Sequence, residues 1–139
     1  MTPETLIEMA KEAMTHAYVP YSGYQVGAAL LCADGTVYCG CNIENAAFTP
    51  TSCAERTAFF KAVSEGKRSF LAIAVVGGPS EREPEDFCAP CGVCRQVMME
   101  FCDPKAFRVI LGKKDLEYRE YTLEEILPLG FAGEEVNRK

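Results

Sequence analysis

Apolar residues recur at Leu6, Met9, Ala10, Ala13, Met14 and Ala17, the three-and-four spacing that gathers side chains on one helix face. Thr2 before Pro3 supplies a cap and a first-turn proline, so the spacing predicts a helix from Pro3 to about His16. Val19-Pro20-Tyr21-Ser22-Gly23 is turn chemistry. Gln25 to Ala33 and Thr36 to Asn42 then read as β-type segments around Asp34-Gly35, the clearest hairpin signal in the chain. A two-residue loop would set Cys39 opposite Leu30 and Cys41 opposite Ala28, a register from which no Cys32–Cys39 bridge is expected.

A second helix is predicted over Cys53 to Glu65, carrying Ala58, Phe59, Ala62 and Val63 and stopped by Gly66. Phe70 to Val76 is a continuous apolar run, as in a strand buried on both faces, and Gly77 to Asp86 reads as an exposed loop. A third helix fits Cys91 to Phe101, a strand Phe107 to Leu111, and an alternating segment runs from about Leu116 to Tyr121. Thr122 and Glu125 form a capping-box pattern for a short last helix ended by Pro128. Helices and strands alternate, so the economical fold is α/β, a three-layer α/β/α sandwich.

The 139 residues, at ~150 per domain, predict one domain spanning 1–139, long enough for a core without cross-links. Fourteen basic against twenty acidic residues give a net charge of −6, which offers no cationic footprint for nucleic acid or anionic lipid. No apolar run approaches the ~20 residues of a membrane span, and Met1-Thr2-Pro3-Glu4 lacks signal-peptide order, so a cytoplasmic protein with no membrane partner is expected. In that compartment eight cysteines point to metal or catalysis rather than to disulfides.

Cys91 and Cys94, three apart on a helix, differ by about 60° in direction and can reach one ion. Pro90 places them at a helix start, where the positive end of the dipole favours thiolate. Upstream stands Cys53-Ala54-Glu55. One Cys or His, then x-Glu, then Pro-Cys-x-x-Cys is the pattern of zinc deaminases, in which the Glu moves protons and is not a ligand. Ser52-Cys53-Ala54-Glu55 also reads as a capping box, and residues two apart on a regular helix point about 200° apart. Convergence of Cys53 and Glu55 therefore needs Cys53 at an irregular helix entrance or a Glu55 side chain that wraps around. Arg56, three residues after Cys53, could offset the charge of three thiolates, or be an ordinary surface arginine. His16, the only histidine, has no partner at ligand spacing.

Tyr21-Ser22, Gln25-Val26-Gly27-Ala28-Ala29-Leu30, Gly40-Cys41-Asn42-Ile43-Glu44-Asn45-Ala46, Cys53-Ala54-Glu55-Arg56-Thr57-Ala58 and Pro90-Cys91-Gly92-Val93-Cys94-Arg95-Gln96 together resemble the small homotetrameric cytidine deaminases. The resemblance runs from about Leu6 to Phe131 and implies a five-stranded mixed sheet between helices. It implies hydrolysis of cytidine and deoxycytidine with release of ammonia, one zinc ion per chain on Cys53, Cys91 and Cys94, and Glu55 as the proton shuttle. Asn42 and Glu44 fall on the family's ribose-binding pair, although both could simply shape the turn after the second strand. Tyr24 falls where the family usually has a phenylalanine beside the pyrimidine, and Ala54 lies in the substrate-binding segment. Phe48 and Phe131 match aromatics that the family contributes to sites shared between subunits.

Cys88 and the acidic stretch Ser80 to Asp86 depart from the family pattern. Cys88 opens a closed four-cysteine zinc site as an alternative, one with no place left for water. Two further alternatives are a deaminase of another aminopyrimidine or of a polynucleotide base, and a zinc module that binds a partner and catalyses nothing. Cys32, Cys39, Cys41 and Cys102 are most simply buried apolar residues.

Overall fold

The computed structural model describes residues 1–133. Helix α1 (Pro3–Met14) begins as its sequence requires: the Thr2 hydroxyl accepts from the Thr5 amide at 3.1 Å, with Pro3 in the first turn. It ends two residues before the expected stop, leaving His16 on the surface beside Glu12.

The hairpin of β1 (Tyr24–Cys32) and β2 (Val37–Cys41) corrects the expected register. Cys32 N–H donates to Thr36 O at 2.8 Å, so Ala33-Asp34-Gly35 is a three-residue loop, closed by Gly35 at φ 92°. Each pairing therefore slips by one: Ala29 faces Cys39, Leu30 faces Tyr38 and Gly27 faces Cys41. Cys32 and Cys39 pack into cores on opposite sides of the sheet, and all eight cysteines are free.

After α2 (Ala54–Ser64), β3 (Phe70–Pro79) runs three residues beyond the predicted strand. Gly77, Gly78 and Pro79 pair with Val26, Gln25 and Tyr24, which corrects their reading as loop. Pro84 in the following loop is buried, and its carbonyl accepts from the Lys114 amide at 2.7 Å. The chain continues through α3 (Gly92–Phe101), β4 (Arg108–Gly112), a 3₁₀ turn at Lys114–Leu116, β5 (Tyr118–Thr122) and α4 (Leu123–Ile126). The predicted capping box of Thr122 and Glu125 opens α4.

The sheet order is β2-β1-β3-β4-β5, with β3 and β4 parallel and the other neighbours antiparallel. Side chains alternate between its faces. Ala29, Ala72, Ala74, Val76 and Ile110 meet Leu6, Ile7, Ala10 and Met14 of α1, whereas Leu30, Ile73, Val75, Val109 and Leu111 pack with Phe59 of α2 and Met98 of α3. The result is the expected α/β/α sandwich on a five-stranded mixed sheet. Gly40 lets α2 settle against β2, because a Cβ there would lie 2.4 Å from Ala54 O and 2.6 Å from Ala58 N. That close approach fixes the start of α2.

Candidate active site

Two helix starts converge at one end of the sheet. Cys53 is the N-cap of α2 and Cys91 the N-cap of α3, both with extended backbone and neither with a side-chain capping bond. Cys53 thus occupies the irregular entrance that its convergence with Glu55 requires. Ser52 bonds elsewhere, through its hydroxyl to Cys53 O at 3.3 Å and to the Thr57 hydroxyl at 3.2 Å, so the helix is not capped by the Ser52–Glu55 box.

Cys53 Sγ lies 3.8 Å from Cys91 Sγ, which lies 3.5 Å from Cys94 Sγ. The three form the metal-capable cluster among the described residues, and Cys88 is outside it. Tetrahedral zinc with Zn–S bonds of about 2.3 Å sets neighbouring sulfurs about 3.8 Å apart, so the spacing fits that ion with a fourth position left over. The protons are divided unequally within the cluster. Hydrogen bonds from Cys94 and from Arg56 draw Cys53 down to about 5, while sharing with Cys53 and burial push Cys94 up. Arg56 Nη2 donates to Cys53 Sγ at 3.2 Å, so it is no ordinary surface arginine.

Glu55 is 4% exposed. Burial, with a smaller contribution from the charge on Cys53, pushes its carboxyl up to about 7. Such a group both accepts and donates protons at neutral pH.

Isolated bridges carry the next residues to the site: Ile43 pairs with Tyr18 on one side and with Ser52 on the other. Asn42 and Glu44 are thereby held beside Cys53. Asn42 Oδ1 accepts from Val26 N–H at 2.9 Å, and Nδ2 donates to Tyr24 O at 2.9 Å, leaving one N–H and one lone pair for a ligand. Glu44 accepts from the Tyr21 and Ser22 amides at 3.0 and 3.1 Å and from the Ser22 hydroxyl. These contacts, the hydroxyl first, hold its carboxyl below the ordinary range.

A cleft of about 170 Å³ joins Asn42, Glu44, Cys53, Ala54, Glu55 and Cys91. Sequence reasoning did not place Val26, Thr51, Ser52 and Ala89 in its wall; three of these adjoin the cysteine motifs, and Val26 is held there by its amide, bonded to Asn42 Oδ1. A second cleft of about 480 Å³ continues from Glu44 and Thr51 to Tyr21, Ser22 and Phe48. Cys94 is buried, Tyr24 adjoins the cleft through its carbonyl, which accepts from Asn42 Nδ2, and Phe131 lies apart, its carbonyl bonded by Gln96 Nε2 at 2.9 Å. A larger hollow of about 570 Å³ lies around Met99 to Pro104, at the far end of α3 and about 15 Å along the helix from the thiols.

Comparison with known proteins gives this arrangement its family. The model for the cytidine and deoxycytidylate deaminase zinc-binding region matches residues 1–110. A cytidine deaminase of Sporosarcina psychrophila is 50% identical over 137 residues, covering 99% of this chain and 96% of its own. A cytidine deaminase of Halalkalibacterium halodurans is also 50% identical over 137 residues, at 99% of both chains. The crystal structure of cytidine deaminase from Burkholderia pseudomallei superposes with a TM-score of 0.85 at 47% identity, covering 94% of this chain and 100% of that one. The chain belongs to the cytidine and deoxycytidylate deaminase zinc-binding family. Zinc is the metal this family binds, and the Cys53, Cys91 and Cys94 group can hold it.

Proposed function

We propose that this chain hydrolyses cytidine and 2′-deoxycytidine to uridine and 2′-deoxyuridine with release of ammonia, a step of pyrimidine salvage. The observation that carries the reading is Glu55, a buried carboxyl pushed up to about 7 that opens into the same cleft as Cys53 and Cys91. A zinc module without catalysis has no use for such a group.

Cys53, Cys91 and Cys94 would hold the zinc, which when bound makes water a nucleophile at neutral pH. Arg56 offsets the charge of the three thiolates through its bond to Cys53. Glu55 takes a proton from the water that attacks C4 of the pyrimidine and delivers it to N3. The carboxyl then relays a second proton to the departing amine, so that cytidine and water become uridine and ammonia. Asn42 and Glu44 grip the sugar hydroxyls, and Ala54 and Tyr24 border the base.

The substrate is a free nucleoside rather than a polynucleotide, in keeping with the net charge of −6. Phe48 is 71% and Phe131 56% exposed, and large aromatic rings left in water on one chain support a homotetramer with shared active sites. Three thiols kept for metal suit the reducing cytoplasm, where we place the enzyme. No helix among the described residues is long and apolar enough to cross a membrane.

Incubation with cytidine, deoxycytidine, cytosine and dCMP, following loss of the aminopyrimidine absorbance, tests the proposal. Turnover of both nucleosides with little of the bare base is expected, and no turnover of either nucleoside would overturn it.

A further inference from the structure

Arg95 holds both peptide groups that flank Cys91. Its amide donates to Cys91 O at 3.0 Å, closing the first turn of α3, and its side-chain Nε folds back to donate to Pro90 O at 2.8 Å. Nη1 of the same guanidinium donates to Ile126 O at 2.7 Å. Ile126 ends α4, where a helix carbonyl has no partner further along the helix and must find one outside it. The short helix α4 is itself fastened to the sheet. Leu123 is fully buried, its amide donates to Phe107 O at 3.1 Å just ahead of β4, and the capping box of Thr122 and Glu125 closes the helix start. A line of hydrogen bonds therefore runs from the approach to β4 through α4 and Arg95 to the backbone of Cys91.

We infer that Arg95 is the positioning residue for the Cys91 thiol, acting on the metal site through the backbone and not through its charge. Among the described residues its hydrogen bonds go to carbonyls, whereas Arg56 bonds a sulfur directly. The two peptide planes on either side of Cys91 set its φ and ψ and so the direction of its Cα–Cβ bond; χ1 alone then remains to place the sulfur. Cys91 is the thiol that needs this support. It is the exposed member of the cluster and, as the N-cap of α3, has no side-chain capping bond, whereas Cys94 is 1% exposed and set in the core, and Cys53 is met by Arg56. A planar guanidinium carries both side-chain donors in one rigid fork, which a lysine ammonium does not reproduce. The inference rests on the three-thiol zinc site and is independent of which substrate is turned over.

Titration of the zinc-loaded protein with a chelator reads the metal affinity directly. Arg95→Met keeps an unbranched stem and loses both side-chain bonds; it should bind zinc about 10- to 100-fold more weakly than wild type. Arg95→Lys keeps the charge without the fork and should recover only a small part of that loss. Thr122→Val, which loosens the start of α4, should show a smaller loss in the same direction and add nothing to Arg95→Met, in which the link to Cys91 is already cut. With cobalt as the probe at saturating metal, the ligand-field bands report coordination geometry and should shift in Arg95→Met. A residue that merely stabilised the fold would leave those bands in place. Wild-type affinity in Arg95→Met, full recovery in Arg95→Lys, unshifted cobalt bands, or losses that multiply in the double variant would each overturn the inference. If Arg95→Met does not fold, the lysine and valine variants decide: weakened zinc retention in both supports the role, and wild-type retention in both refutes it. All these readings are taken without turnover, so a wild-type protein that holds zinc but fails to deaminate cytidine would sink the deaminase reading alone.

Discussion

Arg56 Nη2 reaches back 3.2 Å to Cys53 Sγ across the first turn of α2, joining a guanidinium to a thiol it helps to acidify. Cys53 falls to about 5 partly because of this contact, and metal binding requires thiolate. Removing the guanidinium raises the thiol, so protons compete with zinc at higher pH. Arg56→Gln should keep its zinc at pH 8 but release it to a chelator at a midpoint about one pH unit above that of wild type. Identical release profiles would reduce Arg56 to a packing residue.

Glu55→Gln preserves shape but cannot relay a proton. It should fold and bind zinc like wild type while losing about 10²- to 10⁴-fold or more in kcat. Metal analysis beside a cytidine assay separates the two effects, and turnover near the wild-type rate would refute the proton-shuttle role.

Cys88→Ala should retain one zinc per chain, because Cys88 is not among the clustered thiols, whereas Cys91→Ala should lose most of it. Loss of zinc from Cys88→Ala would restore the closed four-cysteine site.

Asn42 and Glu44 carry both a structural and a proposed binding role, and pH separates them. The Ser22 hydroxyl and two amides hold the folded Glu44 carboxyl below its ordinary range. Its contribution to stability is therefore present above the unfolded value of about 4.3 and is lost only as pH falls through the lower folded one. KM for cytidine should stay flat from pH 7 to 5 as far as Glu44 is concerned. Asn42→Ala and Glu44→Ala should raise KM for cytidine and deoxycytidine alike; unchanged kinetics would leave both as turn-shaping residues.

The elements that speak for themselves in the sequence are those with local signals. Thr2-Pro3 starts α1 and Thr122 with Glu125 starts α4, because capping chemistry acts within one turn. The hairpin register depended on whether two or three residues formed the loop, and Gly35 in the left-handed region decided it. Gly77 and Gly78 resembled loop residues, yet they extend β3 because Cys88 and Pro84 pack where their side chains would be. The thiol cluster was legible as a motif. The unequal sharing of its protons arises from a tertiary contact between Cys53 and Cys94, 41 residues apart, which leaves no local pattern.

The proposed shared-site tetramer yields the last prediction. Phe48 sits at φ 62°, its ring edge-on to Tyr21 at 6.2 Å and largely in solvent, while Gln96 fixes the backbone of the likewise exposed Phe131. A strained backbone that presents an aromatic ring to water is sustained when the ring is buried elsewhere, and symmetric assembly would bury both rings while closing the open clefts against water. Dissociation should then abolish deamination before the subunit unfolds. Light scattering combined with assay on serial dilution, repeated for Phe48→Ser and Phe131→Ser, should show activity falling with the tetramer while far-UV circular dichroism holds. A fully active monomer would end the shared-site proposal and leave the roles of Glu55 and the three thiols standing.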